Sequence, residues 1–373
     1  MHKVDIVRVT TKSELKQFID LPWGIYSRDS LWVPPLKRQV RRLLDTRKHP
    51  FWQFSEQILF LALRGKEIVG RVAGIIDNNY NQYHNEKMGA WGFFECRDDQ
   101  EAARGLLSAV EEWVKKNGMS FLRGPLNPST NYEVGMLIQG FEYPPVVMMP
   151  WNHPYYIPLV EGCGFEKEKD LLALRFAVDD TMRARFARLA RRVQRKGKVW
   201  KRLGSKKNVE SEMRLIAEIY RSAWAENWGF VPTTDAENRE MARDLLYVME
   251  EELTCFVYYK DQPVAVAMAF IDINPLLKRL NGRIGLTAIF KYLSYRREPK
   301  GVRGAVLGVK KEFRNLGVPL LAFDHFYSHI HGNPEYGDVE MGWNLEDNEA
   351  INNMEIQLGA QIYKRYRIFR KSF

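Results

Sequence analysis

Arg314-Asn315-Leu316-Gly317-Val318-Pro319 lies between an apolar strand that ends near Lys310 and a helix, and its residue types point most directly to chemistry. A strand that feeds a basic turn and then opens a helix presents backbone N–H groups, with the helix dipole behind them, to an anion. Gly317 can take a positive φ or let a ligand approach the backbone. Such a turn can cradle a phosphate, and it also occurs as an ordinary loop before a helix. Further on, Glu340 sits in an otherwise apolar strand and is the first choice for accepting a proton, ahead of Asp347 and Glu346. The alternative is a strand carboxylate that faces solvent or pairs with an arginine. Tyr363 and Tyr366 on the final strand are candidates for donating a proton, or are half-buried packing residues. His325 and His329 share a helix face, but no third ligand follows at a suitable spacing, so no metal is expected.

These residues need a scaffold of some size. A chain of 373 residues suits two domains, and 45% hydrophobic residues supply enough apolar surface for two cores. Cys96, Cys163 and Cys255 are too widely separated for a disulfide framework, which fits a reducing cytoplasm. No apolar run approaches the roughly 20 residues that span a bilayer. The net charge of +10 favours anionic partners: phosphates, acidic lipid surfaces or nucleic acid.

The order of elements repeats. Lys3 to Val9 reads as a strand and residues 11–18 as a helix; Ile58–Leu63 and Glu67–Ile76 form a hairpin about Arg64-Gly65-Lys66. Ala90–Cys96 is a strand, Gln100–Lys116 an amphipathic helix, Phe121–Gly124 a strand, Tyr155–Cys163 a helix and Leu171–Phe176 a strand. The second half runs in the same order. Lys198–Arg202 is a strand and Val209–Ala225 a helix, followed by a hairpin of Leu253–Tyr259 and Pro263–Ile271. The strand-turn-helix around Gly317, a strand over Asp338–Trp343, a helix over Glu349–Leu358 and a final strand complete it.

The strand and turn at Arg314 and Gly317 resemble the acyl-CoA-binding motif of the GNAT acyltransferase superfamily, with Pro319 at the motif's last position. Proline suits a first helical turn but removes one N–H from the cradle. Asn348, Ile351, Glu355 and Gly359 fall on the offsets of a later superfamily pattern, with Glu355 where that pattern has a thiolate-protonating tyrosine. The whole chain resembles the bacterial ceramide synthase-like proteins. The residues that carry the likeness include 29–36 (DSLWVPPL), Gly124-Pro125-Leu126-Asn127, Asn152-His153-Pro154-Tyr155-Tyr156, 223–232 (AWAENWGFVP), Asn281-Gly282-Arg283 and Leu307-Gly308-Val309.

The resemblance implies an α+β fold of two tandem GNAT-like domains, each a mixed, mostly antiparallel sheet flanked by helices. Its expected divisions are a degenerate N-terminal domain over 1–180, a basic linker helix over 181–197 and a C-terminal domain over 198–373. The N-terminal copy has Arg97-Asp98-Asp99-Gln100 where a phosphate turn would stand, and its acidic residues repel pyrophosphate. The implied reaction moves a long acyl chain from acyl-CoA, or an acyl carrier protein, to an amine such as a sphingoid base. The implied donor-binding residues are Leu307, Gly308, Val309, Arg314, Asn315, Leu316, Gly317, Val318 and Asn348. A backbone N–H at Leu307-Gly308-Val309 would polarise the thioester carbonyl. Asn152, Tyr155, Tyr156, Asn227 and Trp228 are candidates for the acceptor; Trp228 is equally suited to core packing. An aminoacyl-tRNA-dependent transferase and a non-catalytic lipid-binding protein are the alternatives.

Residues 183–207 hold twelve Lys or Arg and no Asp or Glu, with Phe186, Leu189, Ala190 and Val193 at helical spacing. This basic amphipathic stretch either adsorbs to an anionic membrane surface, making the protein peripheral on an inner membrane, or is a solvated linker whose apolar stripe docks the domains. Nucleic acid fits less well. Pro275–Leu277 and Ile284–Tyr295 form an apolar insertion suited to membrane contact or to a lid over an acyl chain.

Overall fold

The computed structural model describes residues 3–26, 31–176, 180–195, 197–246 and 248–373. Asp29 and Ser30 of the 29–36 segment, and Lys196 of the basic stretch, lie outside the described residues. In chain order the strands are β1 (Val4–Arg8), β2 (Ser55–Arg64), β3 (Glu67–Asp77), β4 (Met88–Cys96), β5 (Phe121–Gly124), β6 (Leu126–Asn127), β7 (Glu133–Val134) and β8 (Met136–Gln139). They continue as β9 (Glu166–Phe176), β10 (Val199–Leu203), β11 (Met249–Tyr259), β12 (Gln262–Ile271), β13 (Lys300–Val309), β14 (Tyr336–Leu345) and β15 (Gln361–Ser372).

The chain forms two compact units. Unit 1 comprises Met1–Leu171, Asn274–Lys291 and Lys364–Phe373; unit 2 comprises Leu172–Ile273 and Tyr292–Tyr363. The basic helix Asp180–Arg195 thus falls inside unit 2, while two segments of the C-terminal half belong to unit 1. Specific bonds hold them there. Asn274 donates to the Pro145 carbonyl at 2.7 Å, Trp23 donates its indole N–H to Asn281 at 2.8 Å, and Phe369 pairs in register with Gly124.

Unit 1 has the strand order β1-β2-β3-β4-β5-β15, with β8 also on β15. The pairings are antiparallel except the parallel β4–β5. The helix Gln100–Lys116 turns Ala102, Leu106, Val110 and Val114 onto this sheet. Glycines let it approach: a Cβ on Gly70 would stand 2.7 Å from Leu106, and one on Gly89 2.6 Å from Val114.

Unit 2 has the order β9-β14-β13-β12-β11-β10, antiparallel from β10 to β13 and parallel for β13–β14. The helix Pro319–Ile330 covers one face, with Leu321 and Ala322 packed against Ala265 and Ala267 of β12. Phe186 and Val193 of the basic helix bury themselves in the same cores, and the Phe186 ring lies 4.8 Å from Tyr327. The opposite face carries the helix Val209–Trp224, whose Ile219 and Trp224 lie against Gly308. The apolar stripe of the basic segment is therefore internal to unit 2, and Arg183, Arg185, Arg188, Arg191, Arg192 and Arg195 form its exposed side. No helix among the described residues is long and apolar enough to cross a membrane.

Candidate functional site

The site begins where two parallel strands part. β13 and β14 pair at Val302↔Val339, Arg303↔Glu340 and Gly304↔Met341, and the register ends there. On its other side β13 stays paired with β12 as far as Val309↔Ala265, with an irregularity at Met268/Ala269 that accommodates one extra β13 residue. β13 is an interior strand, yet Gly304, Ala305, Val306 and Leu307 are all half-exposed. A half-exposed interior strand means that the neighbouring strand has moved away and left backbone N–H and C=O groups open to a ligand. Leu307, Gly308 and Val309 lie on this free length. Trp224 covers one side of it: a Cβ on Gly308 would stand 3.2 Å from its ring. Sequence reasoning picked Trp228 rather than Trp224 as the aromatic near the site.

The turn with Arg314 and Gly317 follows the free end of β13. Lys311–Leu316 form a short 3₁₀ helix, Gly317 adopts the left-handed conformation at φ 68°, and Pro319 opens the helix Pro319–Ile330. Val318 is buried and packs in the core, and Asn315 is exposed beside Leu316. Arg314 donates to the Ala223 carbonyl at 2.7 Å, so its guanidinium also ties the turn to the end of the helix Val209–Trp224. Lys310 pairs with Glu218 at 2.7 Å and Lys311 with Glu226 at 2.9 Å. The carboxylates hold these lysines in place, so less of the turn's positive charge is free than its sequence suggests.

Glu340 is buried at the last rungs of the fork, in register with Arg303, and accepts a hydrogen bond from the Tyr363 hydroxyl. Arg303 in turn donates to the Gly342 carbonyl at 3.2 Å. Tyr363 is half-buried, with its hydroxyl on the buried Glu340 carboxylate. Tyr366 is fully buried in unit 1, where it pairs in register with Leu137. Asp347 is exposed in the turn after β14, and the backbone of Asn348 closes that turn by donating to the Leu345 carbonyl at 3.1 Å.

Glu355 is the carboxylate that sequence reasoning undervalued. It sits on the buried face of the helix Glu349–Gln357, accepts from the Asn344 amide at 2.7 Å, and burial pushes its carboxyl up to about 7. Asn344 lies on the part of β14 beyond the last rung, so Glu355 is attached to the diverging arm of the fork. Its offset from Asn348 was legible; its burial was not, because a helix of mixed polarity does not announce which face is inward.

Unit 1 has the same fork and closes it. β4 and β5 pair at Met88↔Phe121, Gly89↔Leu122 and Ala90↔Arg123, then stop. Beyond this point Leu126-Asn127 lies across β4, the Leu126 carbonyl taking the space a Cβ on Gly92 would need. Asn127 accepts from the Phe93 N–H at 2.6 Å and donates to Glu133 at 2.8 Å. Every residue of β4 except Glu95 is buried. Glu95 accepts from the hydroxyls of Tyr26 and Tyr156, each at 2.7 Å, and faces Arg71 at 3.6 Å. Burial raises the Glu95 carboxyl, and Arg71 opposes the rise. At the helix start, the Asp99 carboxylate accepts from Ala102 N–H and pairs with Arg64, filling the place an anionic ligand would take.

The acceptor candidates divide between the units. Asn152, buried in unit 1, bonds to both backbone groups of Leu137 at 2.7 and 3.1 Å, Tyr155 donates to the Cys96 carbonyl at 3.0 Å, and Tyr156 belongs to the Glu95 network. In unit 2, Asn227 lies in the turn after the helix Val209–Trp224, where its N–H donates to the Trp224 carbonyl at 2.8 Å and Trp228 is half-buried. His325 contacts the Glu252 carbonyl and His329 the Tyr336 hydroxyl. Among the described residues no three His, Cys, Asp or Glu side chains converge as metal ligands.

Comparison with known proteins places this architecture. No protein-family model matches the chain. It is 32% identical to the bacterial ceramide synthase of Caulobacter vibrioides (strain NA1000 / CB15N), over 99% of this chain and 97% of that protein. It is also 32% identical to Protein YghO of Escherichia coli (strain K12), over 96% of this chain and 93% of that one. Among solved structures, a tandem GNAT protein from the clavulanic acid biosynthesis pathway aligns over 99% of this chain and 98% of its own, with a TM-score of 0.55 and 11% identity. The fold is therefore that of tandem GNAT-like domains with mixed, mostly antiparallel sheets. The chain belongs to the bacterial ceramide synthase-like family.

Proposed function

We propose that the protein is an N-acyltransferase that moves an acyl group, long-chain by its family, from an acyl thioester to the amine of a sphingoid-type lipid precursor. The observation that carries this reading is the open fork in unit 2, with Gly304–Leu307 half-exposed on an interior strand, against the closed fork in unit 1. The ceramide synthase named among its relatives supports a lipid amine as acceptor. The GNAT-type fold supports a CoA-type donor, with a carrier-protein thioester as the variant.

In this reading the free backbone of Leu307, Gly308 and Val309 lies along the donor, and an N–H there polarises the thioester carbonyl. The turn at Arg314–Val318 faces the donor's phosphates with the N-terminus of the helix Pro319–Ile330, while Asn348 flanks the donor from the far side of the fork. Attack by the amine forms a C–N bond and breaks the C–S bond; one proton must leave nitrogen and one must reach sulfur. Tyr363 receives the amine proton as its own passes to Glu340. Glu355, whose carboxyl burial raises to about 7, donates a proton to the departing thiolate. Asp347 is the reserve base. Asn227 and Trp228 contact the acceptor, whereas Asn152, Tyr155, Tyr156 and Tyr366 shape unit 1, the degenerate copy.

The testing experiment is calorimetric titration with an acyl-CoA series, then mass-spectrometric detection of the amide formed from a long-chain acyl-CoA and a sphingoid base. Binding that strengthens with chain length, together with amide product, is the expected result. Salt-sensitive tRNA binding with no thioester binding would instead favour an aminoacyl-tRNA-dependent transferase. Binding without turnover would leave a non-catalytic lipid-binding protein.

A further inference from the structure

The segment from Arg283 to Arg297 reverses the usual polarity of a surface helix. Its helix Ala288–Tyr295 and the turn before it expose Ile284 at 72%, Leu286 at 100%, Ile289 at 56%, Phe290 at 70% and Leu293 at 45%. Ile289 and Phe290 in the first turn of the helix, with Ile284 and Leu286 just before it, present an apolar ridge to solvent. A ridge of this kind marks a surface that is covered in use. The start of the segment is held within unit 1, where Gly282 accepts from the Lys37 N–H at 3.0 Å.

Charge identifies what covers it. Between Asp272 and Glu298 the sequence has Lys278, Arg279, Arg283, Lys291, Arg296 and Arg297, and no acidic residue. A second copy of the chain would bring like charges together around the ridge, which opposes self-association. A lid over an acyl chain would turn its apolar side chains inward, whereas Leu286 is fully exposed. An apolar ridge rimmed by cations fits the boundary between anionic headgroups and acyl chains.

We propose that residues 283–291 of unit 1 dock the protein on an anionic lipid bilayer, with Leu286, Ile289 and Phe290 inserted below the headgroups and Arg283 and Lys291 among them. This assigns the insertion to a different element from the basic helix Asp180–Arg195, whose apolar stripe is internal to unit 2. The inference does not depend on the catalytic reading, because its test measures partitioning and not turnover.

The test is flotation of the full chain with vesicles of phosphatidylcholine alone and of phosphatidylcholine with phosphatidylglycerol. The wild type should float with the anionic vesicles and be released by salt. The double variant Leu286→Ser/Phe290→Ser should bind them at least about ten-fold more weakly with an unchanged melting temperature. As a second readout, the emission of the Phe290→Trp variant should shift to the blue on adding anionic vesicles. The proposal is overturned if the double variant floats like the wild type, or if the tryptophan shift appears with a long-chain acyl-CoA and not with vesicles. It is equally overturned if the substitutions dissociate a dimer that does not bind vesicles.

Discussion

The side-chain amide of Asn344 and the carboxyl of Glu355 form a 2.7 Å hydrogen bond that joins the diverging end of β14 to the buried face of the next helix. Burial raises that carboxyl from 4.5 to about 7. A carboxyl whose folded pKa lies above its unfolded value holds more protons when folded, so its contribution to stability falls as pH rises from about 4.5 to about 7 and then levels off. The loss is of the order of 3 kcal/mol across that window. Glu355→Gln should abolish this slope in urea melts taken across it. If Glu355 also protonates the thiolate, kcat of the wild type falls above about pH 7, whereas the Gln variant is slow and lacks that limb.

Tyr363 and Glu340 act as one relay in the proposed reaction, so removing either should have similar effects and removing both should be far from additive. Tyr363→Phe and Glu340→Gln are each expected to lower kcat by about 100-fold, with little change in donor affinity. Steady-state kinetics on the two single variants and the double variant decide this. Additive losses would mean that the two residues work separately.

Gly317 holds a left-handed conformation at φ 68°, and a Cβ there would stand 3.3 Å from Val193. Gly317→Ala should therefore cost about 1–2 kcal/mol of stability and displace the turn. Acyl-CoA titration should show weaker donor binding, while the emission of a Phe290→Trp reporter on anionic vesicles stays as in the parent. Undiminished donor affinity in a destabilised variant would place the phosphates elsewhere.

Asn127 closes the unit 1 fork by accepting from the Phe93 N–H at 2.6 Å. Asn127→Ala strands that buried donor and should lower stability by about 1–3 kcal/mol. Because unit 1 is read as the degenerate copy, kcat/KM measured well below the melting temperature should stay close to wild type. A large loss of activity without loss of stability would make the first fork functional.

Much of this architecture was readable from the chain. The hairpins at Arg64-Gly65-Lys66 and Lys260-Asp261-Gln262, the strand ending near Lys310 and the positive-φ Gly317 all follow from local periodicity and turn chemistry, which act over a few residues. What was hidden depends on partners distant in sequence. Nothing in Leu126-Asn127 says that it will lie over Gly92, nor in Arg314 that it will bond to Ala223, 91 residues away. The basic stretch shows the same limit: its helical stripe was evident, but which surface receives Phe186 and Val193 is decided by the helix Pro319–Ile330.

Unit 1 begins at the N-terminus but takes Lys364–Phe373 as a sheet strand against β5. During synthesis, its sheet therefore waits for residues 364–373, about 240 positions after β5, to leave the ribosome. Cutting the gene in two at the midpoint would give an N-terminal fragment with an unpaired strand edge, prone to aggregate, rather than an independently stable half.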